Sequence, residues 1–203
     1  MTPRSAHALL CSLIAACFAL LCACTTTVHE PASVRDPATV YILDYGRHAS
    51  LLLPREDSSD LVEFAFGEWG WFAEGHDCLL RGPFVLLFPG QGTLGRKQWP
   101  PPPPGTPMAE WIGVISAEPI MVERSRAAAL VARLDAAFEE HEDSRIANAT
   151  GMEFVKIPRR YRGLSNSNTL VGEWLRELGA EVDGPAFFSN FAVRRERIDA
   201  SQR

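Results

Sequence analysis

Residues 41–71 read YILDYGRHASLLLPREDSSDLVEFAFGEWGW and contain two apolar runs separated by a polar segment. The runs Tyr41–Leu53 and Leu61–Phe66 are rich in residues that favour β-strands. The segment between them, Pro54–Asp60, contains the Pro, Asp and Ser residues that typically reverse the chain direction. This pattern predicts a β-hairpin.

Two polar residues of this hairpin, His48 and Glu63, are candidates for chemistry. Diagonal neighbours on adjacent strands lie within about 7–8 Å of each other. A carboxylate beside an imidazole fixes its tautomer and supports its positive charge, which is half of a nucleophile–base–orienter arrangement. A register shift of one residue would turn Glu63 to the other face, and a histidine on a strand can also be a packed residue without chemistry. We therefore predict His48 as a base and Glu63 as its orienter, with simple packing as the alternative.

The N-terminal residues 1–23 form a predicted signal peptide. Arg4 supplies the positive charge, and Ala8–Ala23 is an apolar run shorter than the ~20 residues of a spanning helix. The run ends in Leu-Cys-Ala-Cys, which resembles the lipobox of bacterial lipoproteins and identifies Cys24 as the predicted lipidation site. Thr25, rather than Asp, follows this cysteine, which by analogy favours the outer membrane, facing the periplasm. A plain secretory signal and an uncleaved anchor are the alternatives.

Composition limits the function classes that remain. Residues 24–38 are polar, with two prolines, and predict a lipidated N-terminus followed by a flexible tether; residues 39–203 have the length of one globular domain. Loss of Arg4 with the signal moves the formal net charge from −5 to −6, which argues against a nucleic-acid partner. Cys78 is the one cysteine of the predicted domain, so neither an internal disulfide nor a structural zinc site is expected. No cofactor pattern is present, since the glycines of residues 89–95 predict a loop without phosphate-binding spacing.

Further helices and strands are predicted after the hairpin. Residues 123–141 place Ala127, Leu130, Val131, Leu134 and Phe138 at helical spacing, which predicts a packing helix. Trp111–Ala117 and Met152–Ile157 each predict a short strand. A second helix is predicted within Ser165–Gly179, where Ser and Asn residues offer N-caps and Gly179 a stop. Its apolar residues recur at helical spacing: Leu170, Val171, Trp174, Leu175 and Leu178. Ser167 falls in its first turn, where the helix dipole would stabilise the anion of a nucleophile. The alternative is that Ser167 only helps to cap the helix.

The His-x-Ser hairpin, the VEF-x-x-G-x-W-G segment and the late Asn-Thr helix resemble a family of uncharacterised bacterial envelope proteins, some of whose members are encoded near urease genes. That family is similar to circularly permuted papain-like, NlpC-type peptidases and acyltransferases. The resemblance implies an α+β domain with an antiparallel sheet and packed helices. It also implies that His48 and Ser167 are the catalytic pair, although they are far apart in sequence, and that Glu63 orients His48. The residues in and beside these motifs are predicted to bind a ligand: Asn166, Asn168, Glu68, Trp69 and Trp71.

Ser167 stands where the family usually has a cysteine. A thiolate persists near neutral pH, whereas a serine hydroxyl needs a base in close contact and an oxyanion hole. Three interpretations follow. The chain is a catalytically degenerate lipoprotein that binds a peptide, glycan or acyl ligand, in which case its partners are the membrane and a cell-wall or peptide ligand. Alternatively it is a serine-dependent hydrolase or acyltransferase that uses Ser167, His48 and Glu63, or a structural envelope protein.

Overall fold

The computed structural model describes residues 25–76 and 88–195. These residues form an α+β fold with ten strands in two sheets and four helices. Within the same ranges, no helix is both long and apolar enough to span a bilayer. The predicted signal peptide, Cys24 and Cys78 lie outside the described residues.

The main sheet has seven strands in the order β6-β2-β3-β4-β5-β8-β7, and all of its strand pairs are antiparallel. Most neighbouring strands of this sheet are also consecutive in the chain, because short hairpin connections can join antiparallel strands. The strands are β2 (Pro37–Asp44), β3 (Ala49–Pro54), β4 (Leu61–Glu68), β5 (Gly90–Trp99), β6 (Ser116–Glu123), β7 (Ile146–Ala147) and β8 (Glu153–Tyr161).

The second sheet has three strands and joins the two ends of the described chain. Its central strand, β1 (Thr26–His29), pairs in parallel with β10 (Phe191–Arg194) and antiparallel with β9 (Glu181–Asp183). Val28 is fully buried in the main core. Residues 26–29 are therefore a packed strand rather than part of the predicted flexible tether, because alternate side chains of β1 have a core to enter.

The predicted hairpin is present as β3 and β4, with the turn at residues 55–60. The first apolar run, however, is two strands rather than one, because the chain reverses between Asp44 and Ala49. Gly46 adopts φ +90°, and its N–H donates to the Asp44 carboxylate at 2.6 Å. His48 consequently lies at the end of this turn, directly before β3, and not within a strand.

Two helices cover one face of the main sheet. They are α3 (Arg124–Glu139) and α4 (Ser167–Glu177), and the predicted apolar positions of both are buried against β2, β3 and β4. The periodicity-based predictions of these two helices are confirmed. Trp174 and Phe138 are among the largest fully buried side chains, so this layer is the principal core.

The opposite face is covered by two short helices, α1 (Trp69–Phe72) and α2 (Met108–Ile112). The predicted strand Trp111–Ala117 is wrong, because its first residues end α2 and β6 begins at Ser116. The predicted loop at residues 89–95 is also wrong, since residues 90–95 belong to β5. A Cβ on Gly92 would lie 2.0 Å from the carbonyl oxygen of Arg159, so the glycine is needed for close strand approach rather than for a loop.

Candidate functional site

The predicted site residues converge on one end of the main sheet, which we call the His48 end. It is formed by the turn before β3, the start of α4 and the strand ends that meet there: Asp44, Ala49, Glu68, Gly90, Ser116 and Tyr161. Antiparallel pairing places the C-terminal end of one strand beside the N-terminal start of the next. The sheet topology therefore collects residues from distant parts of the sequence at this end.

The start of α4 is fixed by the side chain of Asn166. Its Oδ1 accepts from the N–H groups of Asn168 and Thr169, both at 3.0 Å, and the Thr169 hydroxyl accepts from the Asn166 N–H at 2.9 Å. This capping box satisfies donors that would otherwise lack partners at a helix N-terminus. The Asn166 amide also donates to the carbonyls of Gly163 and Phe187, so one side chain joins two loops to the helix.

Asn168 connects α4 to the turn that carries His48. Its Oδ1 accepts from the Ala49 N–H at 2.8 Å, and its amide nitrogen donates to the carbonyls of Phe187 at 3.0 Å and Arg47 at 3.5 Å. The partners Arg47 and Ala49 are the two chain neighbours of His48. Asn168 therefore holds the start of α4 to the backbone on both sides of His48. The contacts of Asn166 and Asn168 are structural, and their predicted role in ligand binding stays a prediction.

Ser167 is the first residue of α4 and is only 2% exposed. Its hydroxyl lies 3.5 Å from Asn168 Oδ1, at the limit of a hydrogen bond. Next to it is the phenol of Tyr161, which is buried at the end of β8. Burial raises the pKa of Tyr161 to about 12, assisted by the charge of Glu68 and opposed by hydrogen bonding to Ser167. The Ser167 neighbour is therefore a neutral phenol at physiological pH, and not a base.

Glu68 is the carboxylate on the Ser167 side of the sheet. It is 6% exposed, and it caps α1 by accepting from the Trp71 N–H at 2.7 Å. Its side chain lies over Gly90, where a Cβ would come within 2.5 Å of the Glu68 Cγ. Gly90 is the cross-strand partner of Tyr161, which explains why Glu68 acts on the Tyr161 pKa. Side chains alternate along β4, so Glu68 shares the α4 side with Phe64 and Phe66.

His48 is held by two aromatic rings. It stacks on Tyr45 with centroids 4.7 Å apart and meets Phe72 edge-on at 5.1 Å. Burial lowers the His48 pKa to about 4, although the charge of Asp44 acts in the opposite direction. The imidazole is therefore neutral at physiological pH. Tyr45 and Phe72 belong to apolar clusters on the face opposite α4, so the His48 ring and Ser167 have different surroundings.

Glu63 does not orient His48. Its Oε1 accepts from the hydroxyls of Tyr45 at 2.8 Å and Ser50 at 2.6 Å, and its Oε2 accepts from the Trp99 indole at 2.9 Å. The β3–β4 register pairs Glu63 with Leu52 and turns its side chain to the face opposite α4. Burial of the Tyr45 phenol raises its pKa, and the charge of the fully buried Glu63 carboxylate raises it further. The predicted Glu63–His48 contact is replaced by this three-donor network.

The two tryptophans predicted to bind a ligand, Trp69 and Trp71, are residues of α1. Trp69 is 8% exposed, and its indole donates to Glu74 at 2.8 Å. Trp71 is half-buried and contributes its backbone N–H to Glu68. Tyr161 and Tyr45, the two phenols at this end, are not among the predicted site residues. Tyr161 lies within the arginine cluster Arg159, Arg160 and Arg162, which predicts a solvated loop or an anion-binding lip. In the structure, Arg159, Arg160 and Tyr161 form the end of β8.

The structure brings His48, Ser167, Asn166, Asn168 and Glu68 to one end of the sheet. Among the described residues, however, no hydrogen bond joins His48 to Ser167. In residues 25–76 and 88–195 there is also no group of three His, Cys, Asp or Glu side chains that could hold a metal ion. The arrangement places buried polar side chains, one of them the carboxylate of Glu68, beside a helix N-terminus, without a base from the described part of the chain in contact with the Ser167 hydroxyl.

Comparisons with known proteins found no matching family model, no similar curated protein and no similar solved structure.

Proposed function

We propose that the chain is a lipid-anchored protein of the bacterial cell envelope, attached through Cys24 and facing the periplasm at the outer membrane. Its domain is a permuted papain-like, NlpC-type domain that binds a peptide, glycan or acyl ligand without turnover. The lipobox-like Leu-Cys-Ala-Cys after the apolar N-terminal run supports the anchor. The positions of His48 and Ser167 at one end of an antiparallel sheet support the papain-like relationship.

We infer the loss of turnover because the three predicted catalytic side chains contact other groups and not one another. Ser167 is buried beside the Tyr161 phenol, and His48 stacks on Tyr45 and meets Phe72 edge-on. Glu63 accepts hydrogen bonds from three other side chains. A serine nucleophile requires a base within about 2.6–3.2 Å and a third group that orients the base. A domain with this arrangement retains the buried polar groups of a binding site but lacks the hydrogen-bonded chain that activates serine.

The test combines a covalent probe with a binding measurement on the same purified protein. A fluorophosphonate probe should label wild type and Ser167→Ala equally weakly. Calorimetric titration with a peptidoglycan stem peptide, a muramyl glycan fragment and a fatty acid should show binding of one class, with heat that is unchanged by Ser167→Ala. Binding without labelling supports the proposal, and absence of all binding favours a structural envelope protein.

A second candidate, a serine-dependent hydrolase or acyltransferase, has one observation in its favour. Ser167 is the first residue of an eleven-residue helix, where the N-terminal dipole stabilises an anion. Fluorophosphonate labelling that disappears in Ser167→Ala and slows in His48→Ala would establish this function. A Tyr161→Phe variant is the matched control, because it removes the hydroxyl beside Ser167 while leaving His48 in place.

A further inference from the structure

Exposed large apolar side chains are concentrated at the His48 end. Among the described residues there are five of them, and four lie at this end: Phe88 (62% exposed), Ile115 (72%), Leu164 (74%) and Phe188 (37%). The fifth, Met121, lies within β6 opposite Thr39, away from it. Single exposed apolar residues are ordinary on protein surfaces, but several together mark an interaction surface.

The positions of these four residues follow from the strand and helix ends. Ile115 directly precedes β6, and its N–H donates to the Asp44 carbonyl in the His48 turn. Phe88 is two residues before β5, and Leu164 lies between β8 and α4. Phe188 follows Phe187, whose carbonyl accepts from both Asn166 and Asn168 at the start of α4. All four therefore surround the same set of strand ends.

Positive charge accompanies this apolar set. Arg47, Arg160 and Arg162 are exposed at the same end, although the whole chain carries a net charge of −5. Glu74, an exposed acid two residues after α1, accepts from the Trp69 indole and lies 3.2 Å from the His76 ring nitrogen. Asp44, half-buried in the turn, accepts from the Gly46 N–H. An apolar surface with exposed arginines matches the interface of an anionic bilayer, where apolar groups enter the acyl boundary and cations meet phosphates.

The start of the described chain lies at the same end. The Thr26 N–H donates to the Asn190 carbonyl at 3.1 Å, and the Asn190 amide lies 3.5 Å from the Thr25 hydroxyl. Asn190 is two residues after Phe188, and Thr25 is the residue directly after Cys24. Because β1 begins at Thr26, little chain separates the proposed lipid from the folded domain. A lipid on Cys24 would enter the bilayer beside Phe188.

We propose that the His48 end is a membrane-docking surface, which rests on an anionic phospholipid bilayer with Phe188, Leu164, Ile115 and Phe88 at the acyl boundary and Arg47, Arg160 and Arg162 at the phosphates. The proposed lipid anchor determines which membrane is near, whereas the docking surface determines how the domain is oriented on it. The ligand site of the proposed function then faces the bilayer, which makes an acyl ligand drawn from the membrane the favoured class.

Photo-cross-linking on the full chain in its own membranes tests this surface. The photoreactive residue p-benzoylphenylalanine is placed at position 164 or 188, with position 121 as the exposed apolar control. Positions 164 and 188 should cross-link to alkyne-labelled phospholipid at least five-fold more than position 121. Equal cross-linking at the three positions, or cross-linking of 164 and 188 to protein instead of lipid, overturns the proposal.

A charge-reversal experiment tests the preference for anionic lipid. The full chain is reconstituted in vesicles of phosphatidylglycerol with phosphatidylethanolamine, or of phosphatidylcholine alone. Arg162→Glu should reduce lipid cross-linking at position 164 several-fold in the anionic vesicles only, whereas Arg194→Glu, at the opposite end of β10, should leave it unchanged. Equal effects of both variants overturn the proposal. Palmitate labelling of the same samples reports the Cys24 anchor separately, so loss of docking and loss of the anchor are distinguishable.

Discussion

Glu63 is a buried polar residue whose carboxylate is fully engaged in hydrogen bonds. Glu63 is fully buried and has three donors on its two oxygens. A buried carboxylate is costly unless its charge is met by hydrogen bonds, and removal of one partner leaves the others unpaired. The network therefore stabilises the face of the sheet opposite α4, and its role is structural.

We expect Glu63→Ala to lower the free energy of unfolding by about 2–4 kcal/mol, because three buried donors lose their acceptor. Urea denaturation monitored by tryptophan fluorescence measures the change. Glu181→Ala, on exposed β9, is the control and should lie within about 0.5 kcal/mol of wild type. A loss of less than about 1 kcal/mol for Glu63→Ala would show that the network does not stabilise the fold.

His48 makes stability depend on pH in a defined window. Its pKa in the folded protein is about 4, below the 6.5 of an unfolded chain, so the unfolded state binds more protons between these values. The contribution of His48 to the free energy of unfolding is fully present above about pH 6.5 and is lost as the pH falls toward 4. His48→Phe keeps a ring against Tyr45 but removes this titration, and should reduce the stability difference between pH 7.5 and 4.5 by about 1–2 kcal/mol after solvent screening. Parallel pH dependences of wild type and His48→Phe would contradict the assignment.

At the scale of elements, the sequence predicted what periodicity and turn chemistry encode. The helices α3 and α4 were predicted because their apolar residues recur at helical spacing, and the β3–β4 turn because of its Pro, Asp and Ser residues. The strand β5 was missed because its glycines suggested a loop. In the structure, Gly90 leaves space for the Glu68 side chain, and Gly92 leaves space for the Arg159 carbonyl on the neighbouring strand. The turn before His48 was missed because Asp44, Gly46 and Arg47 were assigned to one strand-like run, Tyr41–Leu53.

The cap of α4 gives a prediction for this element. Asn166→Ala should cost about 1–2 kcal/mol, because the helix loses its capping acceptor and two loop carbonyls lose a donor. Asn166→Asp keeps the acceptor and should cost less. Chemical denaturation of both variants measures the difference. If the alanine and aspartate variants were equally stable, the cap would contribute nothing.

The glycine at the β5–β8 contact gives a second prediction. Gly92→Ala places a methyl against the Arg159 carbonyl, at a site where the strand register shifts, and backbone on both sides must move. We expect a fall in Tm of more than about 10 °C, since overpacking here separates two central strands. Gly105→Ala is the control: it has φ +81° but open space around it, so only backbone strain of about 1 kcal/mol is expected. A larger loss for Gly105→Ala than for Gly92→Ala would contradict this explanation.

At the scale of the whole molecule, the sequence predicted the α+β class with an antiparallel sheet. It also predicted that His48 and Ser167 meet at one cleft, whereas the structure joins the start of α4 only to the backbone on both sides of His48. It did not predict the partners of individual side chains. Whether Glu63 faces His48 depends on strand register, and register is set by all the neighbouring strands together. Tyr161 became part of the site only because β8 continues four residues beyond the predicted strand end at Ile157.

The lipid anchor is tested on the intact protein in cells. Cys24→Ala should abolish metabolic labelling with palmitate and leave an unprocessed precursor, because the proposed acylation site is gone. Cys78→Ala is the matched control and should be labelled normally. Normal palmitate labelling of Cys24→Ala would remove the basis for a lipoprotein.

The central position of β1 in the small sheet also sets an order of assembly. Among the strands of residues 25–76 and 88–195, β1 is synthesised first, yet its partners β9 and β10 are synthesised last, and the Thr25–Asn190 contact spans 165 residues. Pairing across so long a loop forms slowly, after the local hairpins of the main sheet. The small sheet consequently cannot form until β10 is available, and the step that forms it also fixes Thr25 and Thr26 beside the His48 end.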